Sequence, residues 1–195
     1  MENQEGNRRF GNRMKATGIV RRIDDLGRIV VPKEIRRTLR IREGDPLEIF
    51  TNREGEIMLK KYSPVGELGE FAQSYAQALA QTTEALVCIT DREYVIAAAG
   101  AGRKDVEGER LSETVGEWIE RRGTMVKTDE EPTVSLTEKA MENLPHGIVL
   151  SSILCNGDCQ GAVILSDKDG QKEKMELLKP LVMTAAAFLG KNMEQ

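Results

Sequence analysis

Residues 14–50 read MKATGIVRRIDDLGRIVVPKEIRRTLRIREGDPLEIF, and the reading of this stretch decides the fold. Residues 17–23 are rich in β-branched side chains, Asp24-Asp25-Leu26-Gly27 is a turn signal, and Arg28-Ile29-Val30-Val31 follows. That order predicts a hairpin. Pro32 suits the first turn of a helix, where its missing N–H costs nothing. Over residues 33–39, Ile35 and Leu39 share one face at i, i+4, which leaves Arg36 and Arg37 pointing elsewhere. A helix of about two turns needs tertiary support. Glu43-Gly44-Asp45-Pro46 is a turn, and strands are expected over residues 47–51 and 56–61, joined by 52–55.

Residues 14–62 thus make a compact β module, and a chain that short buries too small a fraction of its surface to be secure alone. Its first strand carries Ile19 and Ile23 on one face and Val20 on the other. A strand that wants burial on both sides of so small a module calls for a second copy, so dimerisation through the sheet is expected.

Charge sharpens the division. The 195-residue chain has a formal net charge of −4. Between Lys15 and Arg42, however, nine basic residues face three acidic ones, whereas from residue 63 onward 13 basic residues face 22 acidic ones. A basic module followed by an acidic body is the pattern expected when one part meets a polyanion and the other does not. In a two-fold dimer Arg21, Arg22, Arg28, Arg36 and Arg37 each occur twice, giving a row of guanidinium groups. The planar fork of arginine grips phosphate and reads guanine O6/N7, while Lys15 is better suited to phosphate alone. No helix-turn-helix is visible, so loops and sheet edges would meet the duplex, with a large share of shape readout.

The rest of the chain reads as α+β. Leu68, Phe71, Ala72, Tyr75 and Leu79 form one helical stripe. Strands are expected over 86–90 and 94–99, then a helix over 111–122 with Ser112 as N-cap. Ser135 and Glu138 fit a capping box opening a short helix to Asn143. Residues 147–155 and 160–166 flank Asn156-Gly157-Asp158, a hairpin signal. A final helix over 171–193 contains Pro180, where it is either kinked or begins at Lys179. The sum is one mainly antiparallel sheet with helices on it.

Catalytic signals are weak. His146 sits in a loop beside Pro145, which is no evidence for a general base. Cys155 and Cys159 lack the four ligands of a structural zinc site and can instead face each other across the hairpin. Gly100-Ala-Gly102-Arg-Lys104 lacks phosphate-loop spacing. No metal site, cofactor or enzymatic role is expected. Residues 1–13 are polar and aperiodic, a disordered lead-in or an addition to the chain. No secretory signal or apolar span is visible, three cysteines are too few for a disulfide scaffold, and a cytoplasmic protein without membrane contact is expected.

The run from Leu26 to Leu39, LGRIVVPKEIRRTL, within Met14 to Phe50, resembles the signature of AbrB-type transition-state regulators. With the downstream domain, the chain from Met14 resembles those sporulation regulators of spore-forming bacteria in which such a module precedes a GAF-like domain. The resemblance implies an N-terminal swapped-hairpin β-barrel dimer over 14–62 that binds promoter DNA through Lys15, Arg21, Arg22, Arg28, Arg36 and Arg37. It implies a linker helix over 63–81 and a GAF-like α/β sandwich over 82–195 that senses and oligomerises. Sensor domains would pair through the helices at 66–81 and 171–193 to make a homotetramer in the forespore, activating or repressing genes. A small-molecule effector would act by shifting helix packing; no residues for its pocket can be named. An antitoxin that regulates its own promoter is the alternative, since AbrB-like barrels also occur there.

Overall fold

The computed structural model describes residues 17–139 and 145–194. The lead-in, Met14 and Lys15 lie outside the described residues. The chain divides into two compact units, with the boundary between Lys61 and Tyr62.

The first unit contains helix α1, Lys33–Thr38, and strands β1, Leu47–Thr51, and β2, Ile57–Lys61. β1 and β2 pair antiparallel with Ile49 opposite Leu59 and Phe50 opposite Met58. Asn52 builds their turn: its Oδ1 accepts from the amides of Glu54 (3.0 Å) and Glu56 (2.9 Å), and Gly55 takes the left-handed conformation at φ +82°.

The hairpin expected over 17–31 is realised as its turn alone. Asp24 N donates to Arg28 O at 3.1 Å and Gly27 N to Asp24 O at 3.0 Å, yet neither arm is a strand. Gly18 at φ +68° interrupts the extended run, and a strand forms only where its backbone groups find a neighbour. The apolar side chains of both arms stand in solvent: Val20 is 85% exposed and Val30 72%.

The second unit opens with α2, Pro64–Glu67, whose N-cap Ser63 accepts from the Gly66 amide at 3.1 Å, and α3, Gly69–Thr83. It continues with β3 (Leu86–Thr90), β4 (Val95–Ala99), α4 (Arg103–Val106), α5 (Glu113–Glu120), β5 (Thr124–Lys127), β6 (Gly147–Cys155), β7 (Asp158–Asp167) and α6 (Lys172–Asn192). The strands form one five-stranded antiparallel sheet in the order β4-β3-β7-β6-β5.

Central strand β7 shows why the unit needs helices on both faces. Its run Ala162-Val163-Ile164-Leu165 is wholly buried. Val163 and Leu165 point to one side, where Ala72, Ala76 and Ala80 of α3 and Val182, Ala185 and Leu189 of α6 cover them. Ala162 and Ile164 point to the other, beneath Val106 of α4, Val115 and Ile119 of α5, and Leu136. Each such large side chain contributes about 1.5–3 kcal/mol by leaving water.

Several expectations are met locally. Ser112 caps α5, accepting from Val115 N at 3.3 Å. Asn156 (φ +50°) and Gly157 (φ +84°) form the two-residue hairpin turn, both left-handed as a type I′ turn requires. α6 runs unbroken from Lys172 to Asn192, so it does not begin at Lys179. Pro180 lies on its exposed side, where the carbonyl deprived of its donor faces water.

Three expectations are corrected. Residues 135–139 are not helical: Ser135 Oγ donates to Thr137 O at 2.8 Å instead of capping, and Glu138 N donates to Arg110 O at 2.8 Å. A bridge between Leu111 and Thr137 ties this segment to the chain before α5 (the remainder, 140–144, lies outside the described residues). Cys155 and Cys159 do not face each other, because Cys155 pairs with Asp158 and Cys159 with Leu154, which puts the thiols on opposite faces of the sheet. Strand β5 was given no element in the sequence reading.

Candidate nucleic-acid interface

The basic residues singled out from sequence fall in the first unit. Arg21, Arg22, Arg28, Arg36 and Arg37 are all exposed there, and Lys15 lies outside the described residues. Local structure fixes some of them and leaves others loose.

Arg28 is the most tightly held. The Asp24 carboxylate accepts through Oδ1 from the amides of Leu26 (3.0 Å) and Arg28 (2.8 Å), and through Oδ2 from Arg28 Nε at 2.8 Å. Gly27 supplies the left-handed residue at φ +76° that lets the chain close on itself. The Arg28 amide, then its guanidinium, hold the Asp24 carboxyl below its ordinary range. Arg21, before the turn, makes one long bond from Nη1 to the neighbouring Val20 carbonyl at 3.5 Å.

Arg36 and Arg37 ride on α1. Ile35 is half-buried and Pro32, the N-cap, is buried, so this side of the helix seats it and turns both arginines outward. They lie in its last turn, where positive charge complements the carbonyl end of the dipole. Their own carbonyls are closed off: Ile41 N donates to Arg36 O at 2.7 Å and Arg40 N to Arg37 O at 3.2 Å. This pair of bonds is a Schellman cap, with Arg40 at φ +50° in the position glycine usually fills. Lys61 Nζ donates to the Arg40 carbonyl at 2.7 Å and lies 3.8 Å from Asp45, so the end of β2 anchors the end of α1.

Asp24 went unassigned at the sequence level although the signal was present. An aspartate four residues before an arginine, with glycine between, is an Asx-turn pattern that also places the carboxylate on the guanidinium.

The other sequence candidates lie in the second unit. His146 is exposed, and its carbonyl accepts from buried Lys127 at 2.8 Å. Gly100 and Gly102 precede a helix of one turn, and a side chain at Gly100 would strike the Ala85 carbonyl, which accounts for glycine there without a phosphate. Burial pushes the Cys88 thiol up to about 12. No helix among the described residues is long and apolar enough to cross a membrane.

Comparison with known proteins places both units. Residues 67–194 match the family described as stage V sporulation protein T C-terminal, transcription factor, and residues 20–67 match antidote-toxin recognition MazE, bacterial antitoxin. The chain is 48% identical over 182 residues to stage V sporulation protein T of Bacillus subtilis (strain 168), covering 93% of this chain and 100% of that one. It is 61% identical over 51 residues to the transition state regulatory protein AbrB of the same organism, covering 26% of this chain and 52% of AbrB. The GAF domain of an Acinetobacter phosphoenolpyruvate-protein phosphotransferase superposes with a TM-score of 0.51 at 13% identity, over 69% of this chain and 84% of that domain. At that identity the likeness speaks for fold, which is α+β and GAF-like.

Proposed function

The chain belongs to the stage V sporulation protein T family, as a sporulation transcription factor with an AbrB-like and a GAF-like unit, and we propose that Lys15, Arg21, Arg22, Arg28, Arg36 and Arg37 form its DNA-binding face. The observation that carries this reading is the set of five exposed arginines on a unit so close in sequence to AbrB. Arg36 and Arg37 on a capped helix and Arg28 on a closed turn are held well enough to read base edges. Lys15 adds attraction to phosphate.

The same proposal includes assembly. Two copies interlock the arms of residues 17–31 with each other's β1 and β2 to make a swapped-hairpin barrel. In support, the first unit leaves apolar side chains exposed on both faces of its sheet, Ile49 (66%) and Leu59 (44%) on one and Phe50 (38%) and Met58 (39%) on the other. Neither the arms nor a two-stranded sheet is stable with those surfaces in water. Second units pair through α3 and α6 to give a tetramer. Phe71, Tyr75 and Phe188 cluster there with ring centroids 5.6–6.1 Å apart, and Leu177, Leu181 and Met183 of α6 stand exposed. A small molecule bound by the GAF-like unit shifts that packing and so the angle between DNA-binding dimers. The protein acts in the forespore cytoplasm.

The MazE match favours a second reading, an antitoxin. Against it, the chain beyond the first unit folds around two buried clusters instead of offering an extended tail to a toxin.

The test compares wild-type protein with Arg36→Ala and Arg37→Ala on a duplex selected by the wild type from a randomised pool. Each substitution is expected to weaken selective binding by about tenfold or more with circular dichroism unchanged, since a bidentate base contact is worth about 1–3 kcal/mol. Native mass spectrometry should show a tetramer. Undiminished selectivity in both variants contradicts the site, and a monomer contradicts the assembly.

A further inference from the structure

We propose that Asp24 is a positioning residue for DNA reading: it holds the Arg28 guanidinium by Nε so that the two terminal nitrogens face outward. The inference rests on the DNA-binding reading above.

The two oxygens of Asp24 do different work. Oδ1 is locked by the amides of Leu26 and Arg28, so the orientation of the carboxylate is set by the turn and not by solvent. Oδ2 is thereby presented at a fixed point, and Arg28 Nε donates to it at 2.8 Å. A guanidinium has five N–H groups in one plane. Committing Nε–H to Asp24 leaves the four on Nη1 and Nη2, the edge that matches guanine O6/N7 or two phosphate oxygens.

The Arg28 side chain is 69% exposed, so nothing but this contact restricts its rotamers among the bonds it makes within the described residues. An arginine ordered before the encounter loses less freedom on binding than one that is not. The opposite reading makes Asp24 a brake, an anion that repels the phosphate backbone and competes for Arg28. The two readings differ in sign.

The experiment uses the full chain and two duplexes, one selected by the wild type from a randomised pool and one of scrambled sequence. Asp24→Asn keeps an Oδ1 acceptor for both amides but offers Arg28 Nε no second acceptor. The expected result is about a tenfold fall in selectivity between the duplexes, with affinity for the scrambled duplex unchanged or higher. The Arg28 Nε–H resonance should move while the Leu26 and Arg28 amide resonances stay. Asp24→Asn/Arg28→Ala should be no less selective than Arg28→Ala alone, because the first substitution acts through the second residue. Arg28→Lys keeps the charge and leaves the turn untouched; it should lose selectivity to the same degree, which holds the test even if Asp24→Asn loosens the turn.

Selectivity retained or raised in Asp24→Asn overturns the proposal, as do additive losses in the double variant or full selectivity in Arg28→Lys. Should Arg28→Ala itself bind like wild type, the assignment of Arg28 to the DNA face fails along with it, and the two failures are thus told apart.

Discussion

The carbonyl oxygen of Leu154 on β6 lies 2.2 Å from the place a β-carbon on Gly190 of α6 would occupy. Helix and strand touch there backbone to backbone, which seats the last turns of α6 on the sheet. Since the obstacle is main chain, no side-chain rotation relieves it. Gly190→Ala should therefore push α6 outward and destabilise the second unit by about 1–3 kcal/mol, read as a lower midpoint in urea.

Lys127 is 2% exposed, and its ammonium donates to three carbonyls: His146 at 2.8 Å, Thr128 at 3.0 Å and Glu131 at 3.2 Å. Burial pulls its pKa down, while the charges of Glu131 and Asp129 pull it up. Lys127→Met keeps the aliphatic length but strands those acceptors. A loss of about 3 kcal/mol is expected, with the segment after β5 becoming the first to exchange its amides in hydrogen exchange.

Asp167 is 8% exposed; burial pushes its carboxyl up, but bonds from Lys174 and from the amides of Gly170 and Asp169 outweigh burial and leave it below the model value of 3.8. A carboxyl with a depressed folded pKa contributes stability that is present above its unfolded value and fades as pH falls through the folded one. The second unit should accordingly lose stability as pH drops below about 3.8. Asp167→Asn should be less stable at neutral pH and flatter on that acid limb, as thermal melts across pH would show.

Pro180 stands inside a continuous helix on its exposed side. It removes one backbone donor and crowds the preceding turn, a cost of up to about 3 kcal/mol relative to alanine. Pro180→Ala should raise the melting temperature. If α6 faces a second copy as proposed, the gain should come with an altered tetramer dissociation constant.

Much of this was legible because local signals agreed with the global fold. Ser112 before α5, Asn156-Gly157 between β6 and β7, and the apolar runs of β3 and β7 each specify an element without help from elsewhere. What sequence misread depended on long-range partners. Ser135 and Glu138 have the spacing of a capping box, yet their hydrogen bonds go to Thr137 and Arg110, and tertiary pairing overrode the local pattern. Strand β5 is short, carries a buried lysine and earns its place by pairing with β6. The arms at 17–31 look like strands by composition, but a strand exists by virtue of its neighbour, and within the described chain they have only their turn. At the interface, the arginines were visible as charge. Asp24, which orders Arg28, was visible as a turn residue, and its second role needed the geometry.

The central claim is that the exposed arginines of the first unit carry the protein's affinity for DNA. The most direct measurement is duplex binding by the full chain across a salt series, with Arg21, Arg22, Arg28, Arg36 and Arg37 intact and with all five replaced by glutamine. The account predicts a steep fall of affinity with salt for the intact protein, at about one unit of log–log slope per phosphate contact. For the variant it predicts lost binding and a slope near zero, with the second unit's melting unchanged. A variant that binds with wild-type affinity and slope would contradict it.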